Sequence, residues 1–429
     1  MAEQSNRTPT ISRVFADGSL VELVYDAVAE QTKLALRLPD GALSLESEIA
    51  LPSGELLVPY AARNNLLTSG CVLLPSEIGA ALSKASLIES IKAHIAAYVE
   101  LTPLFVDLAA YYVLLSWVHD AFSELGYLRL QGAFGSGKTR ALLVIGSLCY
   151  KPIFASGAST VSPLFHLLHE FGGTLVLDEA DLRFSDATAD LTKNLNNGTV
   201  KGLPVLRTMT NRHRELNPQA FKVYGPKLIA MRESFQDEAL ESRFLTERTR
   251  VRAAHSAIPI HLPDSQKSEA LALRGKLLRW RFDTRHRVTI DPARAIASLS
   301  PRGNQSVLAL LSLIDNAELR AALGTHLTAA EALGVNRRAQ LPPAVMVGVL
   351  HRRFAVQDAT YVRLADATTD YNALVAANGN CPLSIKATGY LIRIKLGLAT
   401  AKSNGVYVVP AHEKAKVVEL AARYPSASE

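Results

Sequence analysis

Residues 132–139 read Gly132-Ala-Phe-Gly135-Ser136-Gly137-Lys138-Thr139, a full match to G-x-x-x-x-G-K-[ST], directly after the apolar run Tyr127-Leu-Arg-Leu130. A strand feeding such a loop, with a helix behind it, forms a phosphate-binding turn. Its backbone N–H groups can wrap an anion, Lys138 can reach the β and γ oxygens, and the Thr139 hydroxyl can ligate Mg²⁺ at the positive end of the helix. Small residues at Gly132, Gly135 and Gly137 let the backbone approach the phosphates closely, and Ser136 belongs to the same nucleotide-binding set. The expected ligand is ATP or GTP.

Gly173-Thr-Leu-Val-Leu-Asp178-Glu179-Ala-Asp181 follows. Its apolar run is short enough for a buried parallel strand, and it ends in carboxylates. At the carboxyl end of such a strand, Asp178 can hold Mg²⁺ through water and Glu179 can orient the attacking water as general base. Asp181 reads instead as a helix N-terminal residue favoured by the dipole. These two motifs together point to phosphoryl transfer to water.

The chain has 429 residues, 48% of them apolar and 20% charged, a globular composition with room for two or three domains. Its formal charge of +6 is uneven: residues 1–125 are net −8 and the rest net +14. That basic excess points to a polyanionic partner, nucleic acid first. Cys71, Cys149 and Cys381 are far apart, with no C-x-x-C or Cys/His cluster, so reduced thiols, a cytoplasmic setting and no zinc are expected. Leu101–Val118 is apolar, but Pro103 opens it and Asp107 interrupts it, so it reads as a buried helix, and no membrane association is expected.

From about Thr10 to Leu74, short apolar runs alternate with Asp17-Gly18, Asp40-Gly41 and Ser53-Gly54, the spacing of an antiparallel meander or small barrel. Ser76 to Glu124 reads as helical. Alternating strand and helix beyond it predict an α/β core, a parallel sheet with helices on both faces. Ala187–Asn197 is expected to be a helix, Val205–Thr210 and Ala220–Tyr224 the strands of a hairpin with the basic tip Asn211-Arg212-His213-Arg214-Glu215, and Lys227–Met231 a further strand. Toward the end, Pro382–Gly397 reads as a capped helix with Leu383, Ala387, Leu391 and Ile394 inward and Lys386, Tyr390, Arg393 and Lys395 toward the other side. Ala399–Val409 is a hairpin turning at Asn404-Gly405 and carrying Lys402.

This order of parts resembles the AAA+ P-loop ATPases, and more narrowly the superfamily 3 and minichromosome-maintenance-type replicative helicases, including those of mobile elements. The likeness is close over Leu101–Arg250 and looser to Val409; the hairpin and Ser242-Arg243-Phe244 are what narrow it. The resemblance implies a ring, a hexamer in many relatives, with Arg243 completing the charge on the neighbouring subunit's γ-phosphate. An ion pair of Arg243 with Glu241 or Glu247 is the alternative. It further implies that Arg212, His213 and Arg214 grip a DNA strand threaded through the pore, and that Arg302, in Ser300-Pro301-Arg302, reaches the γ-phosphate in cis from a helical lid. Relatives commonly end the sensor strand in Asn or Thr, whereas this one ends Ala230-Met231-Arg232. The terminal helix and hairpin resemble a winged helix, which implies DNA contacts from Lys386, Tyr390, Arg393 and Lys402.

The expected organisation is a β-rich part over 1–75, an AAA+ core with preceding helices over 76–255, a helical lid and connector over 256–340, and a winged helix over 341–429. The expected activity is ATP hydrolysis with Mg²⁺, coupled by a homo-oligomeric ring to movement along single-stranded or duplex DNA in replication of a mobile element. Alternatives are a DNA-binding AAA+ loader or switch without unwinding, and a nucleotide-gated protein remodeller.

Overall fold

Five short strands pair side by side into one parallel sheet: β1 Tyr127–Gln131, β2 Ile153–Ser156, β3 Leu175–Asp178, β4 Lys227–Met231 and β5 Phe244–Arg248. Their order is β5-β1-β4-β3-β2, with Leu128 opposite Leu228, Leu177 opposite Ile229, and Phe244 opposite Tyr127. The structure is a computed structural model, which describes residues 6–178, 186–210, 216–235, 237–250, 257–356, 360–376 and 381–424.

The inner strands β1, β3 and β4 are buried on both faces, which is why they read as mainly apolar runs. The period of two sends Leu128, Leu130, Val176, Leu228 and Ala230 to one face. There they meet helices α1 Lys84–Tyr98, α2 Pro103–Val118, α3 Lys138–Gly146 and α6 Ser265–Thr284. Tyr127, Leu175, Leu177, Ile229 and Met231 face the other way, toward α4 Val161–Phe171 and α5 Asp186–Asn197. The apolar stretch around Leu101–Val118 is the buried helix expected, with Tyr112, Val113, Leu114 and Trp117 almost fully enclosed. Among the described residues no helix is long and apolar enough to cross a membrane.

The chain divides into two compact units, Met1–Leu327 and Thr328–Glu429. The first contains the N-terminal strands. Ser12–Val14, Leu20–Asp26, Gln31–Arg37 and Leu43–Glu46 form an antiparallel meander, as their Asp-Gly turns predict, but they do not close into a barrel. Arg7–Thr10 instead pairs in parallel with Leu56–Pro59 in a second, three-stranded sheet.

Ionic contacts fasten the meander to the core. Glu22, fully buried, accepts hydrogen bonds from Tyr150 Oη at 2.7 Å, Lys151 Nζ at 2.8 Å and Arg281 Nε at 2.8 Å. Arg281 also donates to both oxygens of Asp120, at 2.9 Å each. Burial alone would raise the Glu22 carboxyl, but Lys151 and Arg281 outweigh it and hold it below the usual range.

The hairpin after α5 pairs Val205–Thr210 with Leu216–Phe221. Its second strand therefore starts and ends earlier than the apolar run Ala220–Tyr224 suggests. Val223 is drawn into a cluster with Phe165 and Phe221, and Tyr224 Oη donates to the carbonyls of His119 and Phe122 at 3.1 and 2.8 Å. α7 Pro301–Leu311 follows, capped by Ser300 Oγ, which accepts from Gly303 N at 3.0 Å.

The second unit has helices Pro342–Ala355, Leu364–Ala376, Ile385–Tyr390 and Lys414–Arg423 around a three-stranded antiparallel sheet, Tyr361–Arg363, Val406–Pro410 and Ala401–Ser403 in spatial order. Its hairpin turns at Asn404 and Gly405, both with positive φ, as the dipeptide predicts. One sequence expectation fails here. Ile394 was expected inward but is 62% exposed, and Ile392 is buried in its stead. The helix widens into a π turn over Leu391–Lys395, with Leu396 N donating to Leu391 O at 3.1 Å, and the extra residue per turn rotates everything after Leu391.

Candidate nucleotide site

β1 ends at Gln131 and α3 begins at Lys138, so the loop between them lies at the carboxyl edge of the parallel sheet, where α/β folds bind ligands. Gly135 and Gly137 take φ of +75° and +81°, left-handed values that turn the chain sharply into the helix. At Gly132 the constraint is crowding: a Cβ would stand 2.4 Å from Thr249 Oγ1 and 2.7 Å from Ser136 Oγ. Sequence reasoning attributes these glycines to the nucleotide's approach, whereas the loop's own shape already requires them.

Lys138 Nζ donates to the carbonyls of Gly132 and Ala133, both at 2.7 Å, and lies 3.5 Å from Ser136 Oγ. Thr139 Oγ1 donates to Asp178 Oδ2 at 2.7 Å. That bond spans the loop and the end of β3, so a hydroxyl and a carboxylate from separate motifs meet at one point. Two hard oxygens converging beside a glycine-rich turn fit Mg²⁺, which takes few protein ligands and completes its shell with water and phosphate. The Asp178 carbonyl end of β3 pairs with Ser156 of β2, and β4 lies on its other side. At the end of β1, Gln131 Nε2 donates to Ser234 Oγ at 3.3 Å and to the Arg232 carbonyl at 3.4 Å. This ties the loop to the chain beyond the sensor strand. Glu179 lies outside the described residues.

Arg243 and Arg302 are elsewhere. Arg243 immediately precedes β5, and its carbonyl accepts from Tyr127 N at 2.8 Å, at the amino edge of the sheet. Its guanidinium donates to the Asn196 carbonyl and to Thr199 Oγ1. Neither suggested acid partner is used: Glu241 Oε2 accepts from Arg129 at 2.9 Å, and Glu247 accepts from Thr102 N and Oγ1 at 3.0 Å each. Burial lowers the Arg243 guanidinium from its usual value, and the charge of Arg302 adds to that.

The two arginines line one cavity of about 410 Å³ with Glu124, Thr199, Gln305 and Ser306. Arg302 also donates to the Ala239 carbonyl at 2.7 Å. Arg302, expected to reach the γ-phosphate in cis, thus sits at the sheet edge opposite the phosphate loop of its own chain. α7 packs against the amino end of β1, where a Cβ on Gly126 would stand 2.7 Å from the Ser306 carbonyl, and the phosphate loop leaves the opposite end.

Of the residues expected to meet DNA, Arg212, His213 and Arg214 lie outside the described residues. The hairpin Val205–Thr210 and Leu216–Phe221 is seated on α4 through Phe221, with Arg207 over the Phe165 ring at 5.2 Å and paired to Asp190 at 3.0 Å. In the second unit Lys386, Tyr390, Arg393 and Lys402 are all exposed. Arg393 Nη1 donates to Thr400 Oγ1 at 3.2 Å, next to the strand that carries Lys402.

Sequence reasoning missed Thr249 and Arg140. Thr249 Oγ1 shares a hydrogen bond with Ser136 Oγ at 2.8 Å, and both terminal nitrogens of Arg140 donate to backbone carbonyls, of Pro259 and Ile260. No motif announces either residue, because each acts on a segment more than a hundred positions away.

No family model and no curated protein matches the chain. Among solved structures it is similar to the NrS-1 C-terminal region (305–718), at 10% identity over 91% of this chain and 96% of that one, with a TM-score of 0.40. It is similar also to SCCmec type IV Cch, described as an active helicase, at 11% identity over 96% and 95% with a TM-score of 0.38. A third is JCV helicase, at 17% identity over 58% and 65% with a TM-score of 0.28.

Proposed function

We propose that the chain is an ATPase that couples hydrolysis to movement along DNA as an oligomeric ring, a hexamer in the simplest arrangement, serving as a helicase in replication of a mobile element. The observation that carries the enzymatic part is the 2.7 Å hydrogen bond from Thr139 to Asp178 at the mouth of the glycine-rich loop. In this reading Lys138 leaves its own loop carbonyls for the β and γ phosphate oxygens, and Thr139 with Asp178 holds Mg²⁺. The metal, when bound, neutralises charge that develops on the phosphates. Glu179 takes a proton from the attacking water as its oxygen bonds to the γ-phosphorus and the bond to the ADP oxygen breaks.

Arg243 acts on the neighbouring subunit's nucleotide, and Arg302 with it. Supporting this is their common location around one cavity at the sheet edge away from their own loop. A cation supplied across a subunit boundary makes turnover depend on assembly. The basic tip Arg212-His213-Arg214 grips the DNA backbone, and the C-terminal unit acts as a winged helix, with Lys386, Tyr390, Arg393 and Lys402 on the duplex. Exposure of those four side chains on one helix and one hairpin supports the last assignment.

The test is ATPase turnover of wild type and Glu179→Gln, with and without single-stranded DNA, at two salt concentrations. The reading expects salt-sensitive stimulation by DNA in wild type, and in Glu179→Gln intact ATP binding with turnover abolished. Undiminished hydrolysis by Glu179→Gln removes that residue from the chemistry. Hydrolysis indifferent to DNA, at either salt, favours a protein remodeller; DNA stimulation without strand separation favours the loader.

A further inference from the structure

The chain leaving β5 stays with the phosphate loop. Thr249, the residue after the strand, bonds to Ser136, and a later stretch returns across the start of α3, where Arg140 clamps the carbonyls of Pro259 and Ile260. Arg140 directly follows Thr139, so the backbone at 259–260 is fastened beside the first helical turn, whose N–H groups are the ones aimed at phosphate. Leu262, two residues on, packs against the core. Ile260 does not: the residue is 90% exposed although its carbonyl is held by Arg140. Leu143, one turn beyond Arg140 on the same side of α3, is partly exposed as well.

A large apolar side chain held at a surface point beside a phosphate site suits a flat aromatic ligand carried by that phosphate. Resting on the reading of residues 132–139 as a nucleoside-triphosphate site, we infer that Ile260 and the guanidinium plane of Arg140 form the nucleobase subsite, with Leu143 at its margin. Ile260 covers the face of the base with hydrocarbon, and Arg140 adds a planar cation that packs well on a π-system. The carbonyls of Pro259 and Ile260 already accept from Arg140, so the subsite holds the base by its face.

The measurement is calorimetric titration of the full chain with ATP and, separately, with inorganic tripolyphosphate, both with Mg²⁺, for wild type, Ile260→Ala, Ile260→Leu and Lys138→Ala. Ile260→Ala is expected to weaken ATP about 10-fold, the scale of burying part of one aliphatic side chain. Tripolyphosphate, which has no base, keeps its affinity, and Ile260→Leu restores ATP binding. An unchanged ATP affinity in Ile260→Ala, or an equal loss for both ligands, overturns the base subsite while leaving the phosphate site standing. If wild type and Lys138→Ala alike bind neither ligand, the nucleotide reading falls and this inference with it.

Discussion

Replacing Arg243 by Ala tests whether each reaction centre is shared between two chains. Phe244 pairs with Tyr127 and Arg248 with Gln131, so Arg243 and the phosphate loop lie at opposite ends of adjacent strands. At ~3.3 Å per residue, five residues separate them by roughly 16 Å. That distance is too long for Arg243 to serve the loop of its own chain, and the proposed reading assigns it to a neighbour's loop. Removing a cation from the γ-phosphate in the transition state lowers turnover by on the order of 10³, or about 4 kcal/mol. The same substitution also removes the bonds to the Asn196 carbonyl and Thr199, costing about 1–3 kcal/mol of stability. Thermal unfolding of the variant therefore belongs beside the kinetics.

The decisive assay mixes two inactive proteins. Arg243→Ala keeps its loop and Lys138→Ala keeps its arginine, so in an equal mixture about one boundary in four joins an intact loop to an intact arginine. ATPase activity is expected to recover toward that fraction of wild type, and only where the mixture assembles. Arg243→Ala turning over at full rate alone, or a mixture that assembles without recovery, refutes the shared centre.

Glu22→Gln leaves Lys151 buried without its carboxylate and Arg281 with Asp120 alone, and urea denaturation is expected to show a loss of about 3–5 kcal/mol; a loss under about 1 kcal/mol would mean water reaches the cluster. Lys227 is fully buried, with its amine on the carbonyls of Val223 and Gly225 at 3.0 Å each and 4.6 Å from the Tyr127 ring centre. Burial pushes the amine down from 10.5 to about 7. The unfolded chain thus binds one more proton between those values, so this group makes stability rise with pH from about 7 toward 10 and fall on the way back. Over two pH units the gain is roughly 2 kcal/mol; Lys227→Met is expected to flatten the curve measured by chemical denaturation from pH 7 to 9, and an unchanged slope refutes the assignment.

Much of the core was legible in the chain because its determinants are local. A glycine-rich turn needs its left-handed residues at Gly135 and Gly137 whatever surrounds it. A strand buried on both faces reads as an apolar run ending in Asp178, and Asn404-Gly405 announces its own hairpin. Periodicity failed where geometry departed from 3.6 residues per turn: the π turn at Leu391–Lys395 exchanged Ile394 for Ile392 in the core. It failed again at Phe221, where packing against Phe165 ended a strand that the apolar pattern would have continued.

By itself the sequence determined the phosphate loop, the acidic strand that faces it and the alternation of strand and helix, since each depends on neighbours a few residues apart. Only the tertiary structure decided that Arg302 joins Arg243 at the far edge of the sheet, that Thr249 supports Ser136, and that Arg140 fastens Ile260 beside the loop. Strand order and register set those meetings. A side chain's partner across a sheet depends on which strands lie between, and that follows from the packing of the whole domain, with no local pattern to record it.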